Sequence, residues 1–443
     1  MKLHYHLILL CFACASTFHP VFACQKHNNS PHASVESIAK HEVQISSELK
    51  KQLHLTQPGI GSGLVYKGRD NAGHLLFYSI TDRGVNFDNT NLENGTKAAM
   101  FMYPDFKPFV SEIRLKPGIS AEVIAVQNFN FSGLPPHDNA ANIPISTKLD
   151  FLPFDPNGLD SEAIDYDAQG NFWIADEYRP AIFQFAPDGR KLKQIDIGDF
   201  LPDLRHYKMQ NRGIESLVIT PNNKLLFAIE SILDIENKTK NTAEFIRVVE
   251  YDINSGAFQV YAYPFDYNKY KSRANVKIGD IAAINKDTFL FVEQGMAQDG
   301  EFVNDIYVVR TKGATNIADL RHSDGKHLEF KPINDVVTFP LKKHKLISMR
   351  DHHWNHEKLE GIAYIDDKTI ALINDNDFGL EPEIMGVKGA MIEHYQLHSQ
   401  DKTIAKDQKK EKFDIKFHND PSRKTEMWLV KFKEPILNVG MIE

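Results

Sequence analysis

The sequence predicts an all-β chain closed into a single β-propeller, with six blades preferred and five or seven left open. Three observations predict it. An apolar strand that turns and returns recurs five times, opening at Ser62-Gly63-Leu64, Glu162-Ala163-Ile164, Glu215-Ser216-Leu217, Gly279-Asp280-Ile281 and Glu360-Gly361-Ile362. The return strands LLFYSITD, NFWIADE, KLLFAIE, DTFLFVE and KTIALIND end in one chemistry, placing Asp82, Glu177, Glu230, Glu293 and Asn374 at equivalent positions. From Gly59 to about Ile436, short β-branched and aromatic runs alternate with Gly, Asn, Asp and Pro turns, and no helix-period run of useful length interrupts them. Strand-built repeats of about 40 to 60 residues point to blades set radially around a channel.

In chain order, Met1-Lys2 and LHYHLILLCFACAS form a basic start and an apolar segment, and Val21-Phe22-Ala23 precedes a cut ahead of Cys24. Residues 1–23 therefore read as a signal peptide. Cys24 resembles the acylated cysteine of a bacterial lipoprotein, although Phe22 and the lack of leucine at position 21 make that box imperfect. No later run approaches the roughly 18 apolar residues of a membrane span. The expectation is an exported chain, soluble or anchored through a lipid on Cys24. Residues 24–55 read as a linker and a first strand within VQISSELKKQLHL, and residues 56–437 as the propeller domain.

Turns fall where hairpins need them, at Ala168-Gln169-Gly170, Pro221-Asn222-Asn223 and Asp366-Asp367. Outer strands are legible from Ile182 to Phe185 and from Phe245 to Tyr251. The long interval between the first two repeats contains SEIRL and AEVIAV, which supply a further blade or belong to long rim segments. The strand Met427 to Phe432 is expected to close the ring on the N-terminal chain, since closure removes exposed sheet edges. The Lys-rich stretch from about 400 to 424, with KKEK at 409 to 412, is then a solvated excursion.

The 443 residues are 42% hydrophobic and 25% charged, enough for one large β-domain or two ordinary ones; the repeats favour one, and a monomer is expected. A formal charge of −8, with no basic cluster interleaved with aromatics, gives no reason to expect nucleic acid. The three cysteines, at 11, 14 and 24, lie in or beside the leader, so the mature chain has no internal disulfide and no cysteine-held zinc.

In an antiparallel hairpin the start of one strand lies beside the end of the next, which brings Glu162 near Glu177 and Glu215 near Glu230 on one rim. Facing carboxylates cannot all stay ionised without a cation, a basic partner or a raised pKa. Hard cations select oxygen ligands arriving from separate loops, so calcium is the expected cofactor, with Asp82, Glu177, Glu230, Glu293 and Asp375 as candidate ligands. Asp375 lies in Asn374-Asp375-Asn376-Asp377-Phe378-Gly379, the densest oxygen-ligand stretch, which also reads as a hydrogen-bonded turn. Glu215, Glu162 and Glu360, sharing the other repeat position, are the candidate catalytic carboxylates. Asp280 falls one position later, so it faces elsewhere unless a bulge intervenes. Arg83, Arg179 and Arg212 adjoin the acids and are candidate grips for a phosphate or carboxylate; the plainer alternative is that each neutralises a neighbouring acid. Ser62 is out of register for a nucleophile elbow. His352-His353-Trp354-Asn355-His356-Glu357 reads as an exposed loop, with Trp354 and Phe378 as a lid or apolar wall.

The stretches GSGLVYKG with YSITDRG, LDSEAIDYDAQGNFWIADEYRPAIFQFAPDGR, NRGIESLVITPNNKLLFAIE, KIGDIAAINKDTFLFVEQG and KLEGIAYIDDKTIALINDNDFG resemble, in order, the phytase-like domain proteins, described as having esterase-like activity of phytase. That resemblance spans about 59 to 380. It implies a secreted or periplasmic bacterial propeller and a loose connection to calcium-dependent phytases, and it attaches no role to any one residue. The resulting expectation is an exported, calcium-dependent hydrolase of phosphate or other small anionic esters at the acidic mouth. Two alternatives stand beside it: a non-catalytic envelope propeller that binds a ligand or protein, and a calcium-dependent lactonase-like enzyme, which has no need of three arginines.

Overall fold

The computed structural model describes residues 33–53, 57–137, 142–384, 395–406, 409–412, 415–420 and 423–438. The expected signal peptide and Cys24 lie outside them.

Alternation along each strand makes the architecture. In Lys224–Ile229, Leu225 and Phe227 face one side and Leu226 and Ala228 the other, and all four are buried. A strand buried on both faces must lie between two other sheets. Among the described residues, three four-stranded sheets and one eight-stranded sheet, whose halves are joined by a parallel pairing of Val43 with Ala121, divide into five four-stranded antiparallel units. The first is Leu64–Arg69, Leu75–Ile80, Phe109–Lys116 and Ser120–Asn128. The second is Ser161–Tyr166, Phe172–Asp176, Ala181–Phe185 and Lys191–Asp196. The third is Ile214–Ile219, Lys224–Ile229, Phe245–Asp252 and Phe258–Pro264. The fourth is Lys277–Asn285, Thr288–Met296, Phe302–Arg310 and Lys342–Ser348. The fifth is Gly361–Asp366, Thr369–Ile373, Glu426–Phe432 and, from the N-terminal end, Val35–Gln44.

Apolar seams join them in a circle. Phe227 of the third unit packs with Trp173 of the second, and Leu226 with Phe289 and Phe291 of the fourth. Leu290 and Val292 meet Leu372 and Trp428 of the fifth; Ile373 and Met427 meet Phe77 and Ile113 of the first; Ile80 and Val110 meet Ile174 and Phe183 of the second. Burying each such side chain contributes roughly 1.5–3 kcal/mol. The five first strands line a narrow central cavity of about 250 Å³, with Leu64, Ile164, Leu217, Ile281 and Ile362 on its wall. This is a propeller-like all-β architecture in which the second, third and fourth units are continuous four-stranded meanders.

SEIRL and AEVIAV are the outer strands of the first blade, not a blade of their own. The rest of that interval leaves the ring: Asn86–Leu92, Lys97–Phe101 and Ile143–Ser146 pair with Gln396–His398, Thr403–Lys406 and Lys409–Lys412 in a six-stranded side sheet. Glu426–Phe432 pairs antiparallel with the N-terminal strand, Val35 opposite Phe432 and Glu42 opposite Glu426. That strand begins at Val35, ahead of the expected position, and Ser47–Leu53 within the expected strand is a helix. Trp354 is neither lid nor mouth wall: it is buried edge-on against Trp428, ring centroids 4.9 Å apart. Phe378 is buried too, edge-on to Phe106, under a glycine, Gly59, whose Cβ would strike its ring.

Candidate functional site

The mouth is shaped by bulges. In the second blade Ser161 pairs with Asp176 and Ala163 with Ala175, so Glu162 is the extra residue of a β-bulge. In the third, Ile214 pairs with Ile229 and Ser216 with Ala228, which leaves Glu215 as the extra residue. A bulge re-aims a side chain out of strand alternation, and both glutamates turn to the mouth. The fourth blade has a bulge at Gly279 and Asp280, between the pairs Ile278–Glu293 and Ile281–Phe291. Asp280 there accepts N–H bonds from Ile281 and Ile362, both 2.8 Å, and so ties the fourth blade to the fifth.

Two groups of acids result. Carboxylate oxygens of Asp160, Glu162 and Glu177 lie within 4.8 Å of one another, as do those of Glu177, Glu215 and Glu230. Glu177 belongs to both. Arg83 bonds Asp160 at 2.5 Å and the Asn211 side-chain oxygen at 2.6 Å, and stands 3.8 Å from Glu177. Glu230 pairs with Arg212 and Lys277, and Lys277 also reaches Glu215 at 3.4 Å. On the fifth-blade side Lys358 bonds Asp375 at 2.6 Å and Asp377 at 3.1 Å and lies 3.9 Å from Glu360.

Burial pushes the carboxyls of Glu162, Glu177 and Glu215 well up, and their acidic neighbours push them further. Asp82 is raised likewise, by burial and then by Asp375 and Asp160. Burial raises Glu360 to about 7 against the pull of Lys358. Glu230 runs the other way: burial opposes its charge, but Arg212 and Lys277 hold it down at about 2. Lys208, on the segment between the second and third blades, is lowered by burial although Glu177 and Asp176 favour its charge.

Glu293 is not brought to this cluster. Lys277 pairs with Gln294 and Ile278 with Glu293, whereas Glu177 and Glu230 donate their N–H groups to Asp160 and Gly213. The rim position of the fourth blade therefore belongs to Gln294, one residue on, and Glu293 faces the other side of its strand. Tyr263, Tyr270 and Lys343 bind its carboxylate there. Arg179 also turns aside, to Asp176 at 2.8 Å and the Gly158 carbonyl at 2.7 Å. Of the three arginines expected to grip substrate, Arg212 alone lines the mouth pocket, a space of about 180 Å³ shared with Lys277, Gln294 and Lys358. The clustered acids line neither this pocket nor a larger cavity of about 1270 Å³ bounded by Tyr103, Phe106, Phe129 and Arg190; the smaller pocket touches the cluster through Arg212 and Lys277.

Asp160, Lys277 and Lys358 were missed from sequence. Each stands two residues before a repeat start, at Glu162, Gly279 and Glu360, so one further column of the repeat would have found them.

The sequence pattern of the phytase-like family, described as esterase-like activity of phytase, matches residues 58–378, most of the chain. The chain belongs to this family. A secreted protein of Arthroderma benhamiae is 29% identical over 135 residues, which cover 24% of this chain and 26% of that protein, so the match spans about a quarter of its length. Among solved structures, virginiamycin B lyase of Staphylococcus aureus is 9% identical over 89% of this chain and 99% of its own, with a TM-score of 0.30. The PQQ-bound aldose sugar dehydrogenase of Streptomyces coelicolor is 10% identical over 90% and 100%, with a TM-score of 0.31. Likenesses this distant decide nothing about this chain.

In this phytase-like protein the mouth fits a hard divalent cation. Its donors are all carboxylate oxygens, the set such ions select. Glu215 and Glu230 are buried and hydrogen-bonded to one another, a contact that two carboxyl groups keep by sharing a proton or a cation. Among the described residues no helix is long and apolar enough to cross a membrane.

Proposed function

We propose that this phytase-like protein is an exported, calcium-dependent hydrolase of phosphate or other anionic esters. The observation that supports it is a pocket lined by Arg212, Lys277 and Lys358, of which Arg212 and Lys277 pair with Glu230 of the carboxylate cluster. Asp160, Glu162, Glu177, Glu215 and Glu230 would hold the cation, which supplies charge for the oxygen that turns negative as the ester is attacked. Arg212, Lys277 and Lys358 orient the anionic head of the substrate against the cluster. Glu360 lies beside Lys358 with its carboxyl raised to about 7 by burial, which suits it to take a proton from the attacking water near neutral pH. Glu162 and Glu215, first expected as catalytic carboxylates, act in this reading through the cation.

A second reading, an envelope propeller that binds an anionic ligand without turning it over, has its own support. Arg212, Lys277 and Lys358 each already pair with a carboxylate, so none is held in reserve for charge developing during reaction. Arg212→Ala and Lys358→Ala decide between them. Hydrolysis predicts a KM for an aryl phosphate raised in both variants with an uncharged aryl acetate unaffected. Binding of the aryl phosphate without release of phenol, in wild type as in the variants, sinks the catalytic reading.

A further inference from the structure

We infer that the seam between the first and second blades carries a second ligand site, apart from the acidic mouth: a two-lobed cleft that takes an amphipathic anion. Its narrow lobe receives the charged head, a carboxylate or phosphate, and its wide lobe the apolar body. The inference is independent of the hydrolytic reading above.

The cleft begins with a turn. Ala186-Pro187-Asp188-Gly189-Arg190 joins the strands Ala181–Phe185 and Lys191–Asp196. Gly189 donates its N–H to the Ala186 carbonyl at 2.8 Å, and Arg190 donates its own to the Asp188 side chain at 3.0 Å. Gly189 has a φ of +83°, and a Cβ there would stand 2.9 Å from the Asn128 carbonyl oxygen, at the end of the first blade's outer strand. Glycine's missing side chain permits that approach. It sets the turn against the neighbouring blade and divides one groove into two lobes, with Asn130, Gly189 and Arg190 lining both.

The lobes differ in charge. The wide one, about 1270 Å³, has walls of Met102, Tyr103, Phe106, Phe109 and Phe129, and its charged residues balance: Asp105 and Asp188 against Lys107 and Arg190. The narrow one, about 270 Å³, sets Arg179, Arg190 and Lys191 beside Phe131, Phe183 and Phe185, with no carboxylate among its lining residues. On a chain of formal charge −8, a lining whose charges are all positive favours an anion.

The three cations are not equally engaged. Arg179 is held by Asp176 and the Gly158 carbonyl. Arg190 stands 3.9 Å from Asp188, with the two side chains 68% and 67% exposed, a pair worth little in water. Lys191 stands 5.7 Å from the centre of the Phe183 ring and has no carboxylate partner among the described ion pairs. Arg190 can therefore turn its fork to an anionic head with Lys191 beside it. The apolar wall is already built. Phe106 lies edge-on to Phe378 and against Gly84, where a Cβ would come 2.5 Å from its ring, and Phe129 stacks on Phe131 with centroids 5.4 Å apart. A wall fixed before binding spares the ligand the cost of ordering it, and the volume is ample for a whole small molecule.

Calorimetric titration of the full chain with decanoate, decyl phosphate and decyltrimethylammonium, each below its micelle concentration, tests the assignment. Both anions should bind one to one, and the cation of equal chain length at least tenfold more weakly. Arg190→Glu should weaken both anions by tenfold or more, whereas Lys240→Glu, the same charge change at a distant exposed lysine, should not. Asn130→Trp, which places a large ring between the lobes, should abolish binding. Arg212→Ala should leave it intact, because that arginine lines the mouth pocket and not this cleft. Far-ultraviolet circular dichroism checks the fold, and Arg190→Glu carries the test if Asn130→Trp does not fold. No saturable binding, equal affinity for the cation, or affinity indifferent to Arg190→Glu would overturn the site; loss in Arg212→Ala would move the anion to the mouth and overturn it as well.

Discussion

Lys277, the first residue of the fourth blade's inner strand, forms an ion pair with Glu230 at the end of a third-blade strand and reaches Glu215 at 3.4 Å. One amine therefore links two blades at the mouth. Breaking a buried ion pair from one side leaves the other charge uncompensated and costs several kcal/mol. Without calcium, Lys277→Met should lose about 3 kcal/mol of unfolding free energy, and saturating calcium should return much of it, because a ligand of the native state stabilises by mass action. Denaturant unfolding with and without chelator measures both.

Glu293 gives the opposite expectation. It is fully buried and bound by Tyr263, Tyr270 and Lys343 within the seam of the third and fourth blades. Glu293→Gln should cost about 3 kcal/mol while calcium affinity and turnover stay at wild-type values. A loss of calcium binding in a folded Glu293→Gln protein would return that glutamate to the mouth.

That contrast shows what the sequence could and could not convey. Glu162 and Glu215 were legible because repeat position alone identifies them, and the bulges that expose them recur in register. Glu293 looked equivalent because its strand ends in the same letters, yet one step of pairing moves a side chain to the opposite face. Lys277 and Lys358 were overlooked because the repeat was read from its acids, and their chemistry only appears once a neighbouring blade's carboxylate lies beside them. The blade count was blurred by chain that leaves the ring near Asn86 and again after Leu380 to build sheets outside the blades, an arrangement no spacing reports.

Arg179 and Arg212 should separate in kinetics. Arg179 is held by Asp176 and two backbone carbonyls outside the mouth pocket, so Arg179→Ala should lower thermal stability and leave KM unchanged. Arg212→Ala should raise KM for an anionic ester by about tenfold, the worth of one charge-assisted hydrogen bond. Steady-state kinetics beside a thermal melt reads the difference.

Stability should fall as pH rises when calcium is absent. Burial raises the folded carboxyls of Glu360 and Asp165 to about 7, far above their unfolded values of 4.5 and 3.8. Between those limits the native state holds more protons than the unfolded chain, so unfolding free energy decreases from about pH 4 to pH 7 and levels above. Glu162, Glu177 and Glu215 are raised in the same direction. Calcium favours the ionised cluster and should flatten or reverse the slope, while Asp165, away from the mouth in the central cavity, keeps its share. Thermal melts from pH 4 to 8, in chelator and in calcium, measure the two slopes.

The most direct measurement is product release by the purified protein from inositol hexakisphosphate, an aryl phosphate, an aryl acetate and a lactone, each with calcium and with chelator, beside Glu360→Gln. The account predicts calcium-dependent release from the phosphate esters, reduced by a hundredfold or more in a Glu360→Gln protein that still binds calcium. Silence across the panel from folded, calcium-loaded wild type, or equal rates in wild type and Glu360→Gln, would contradict it.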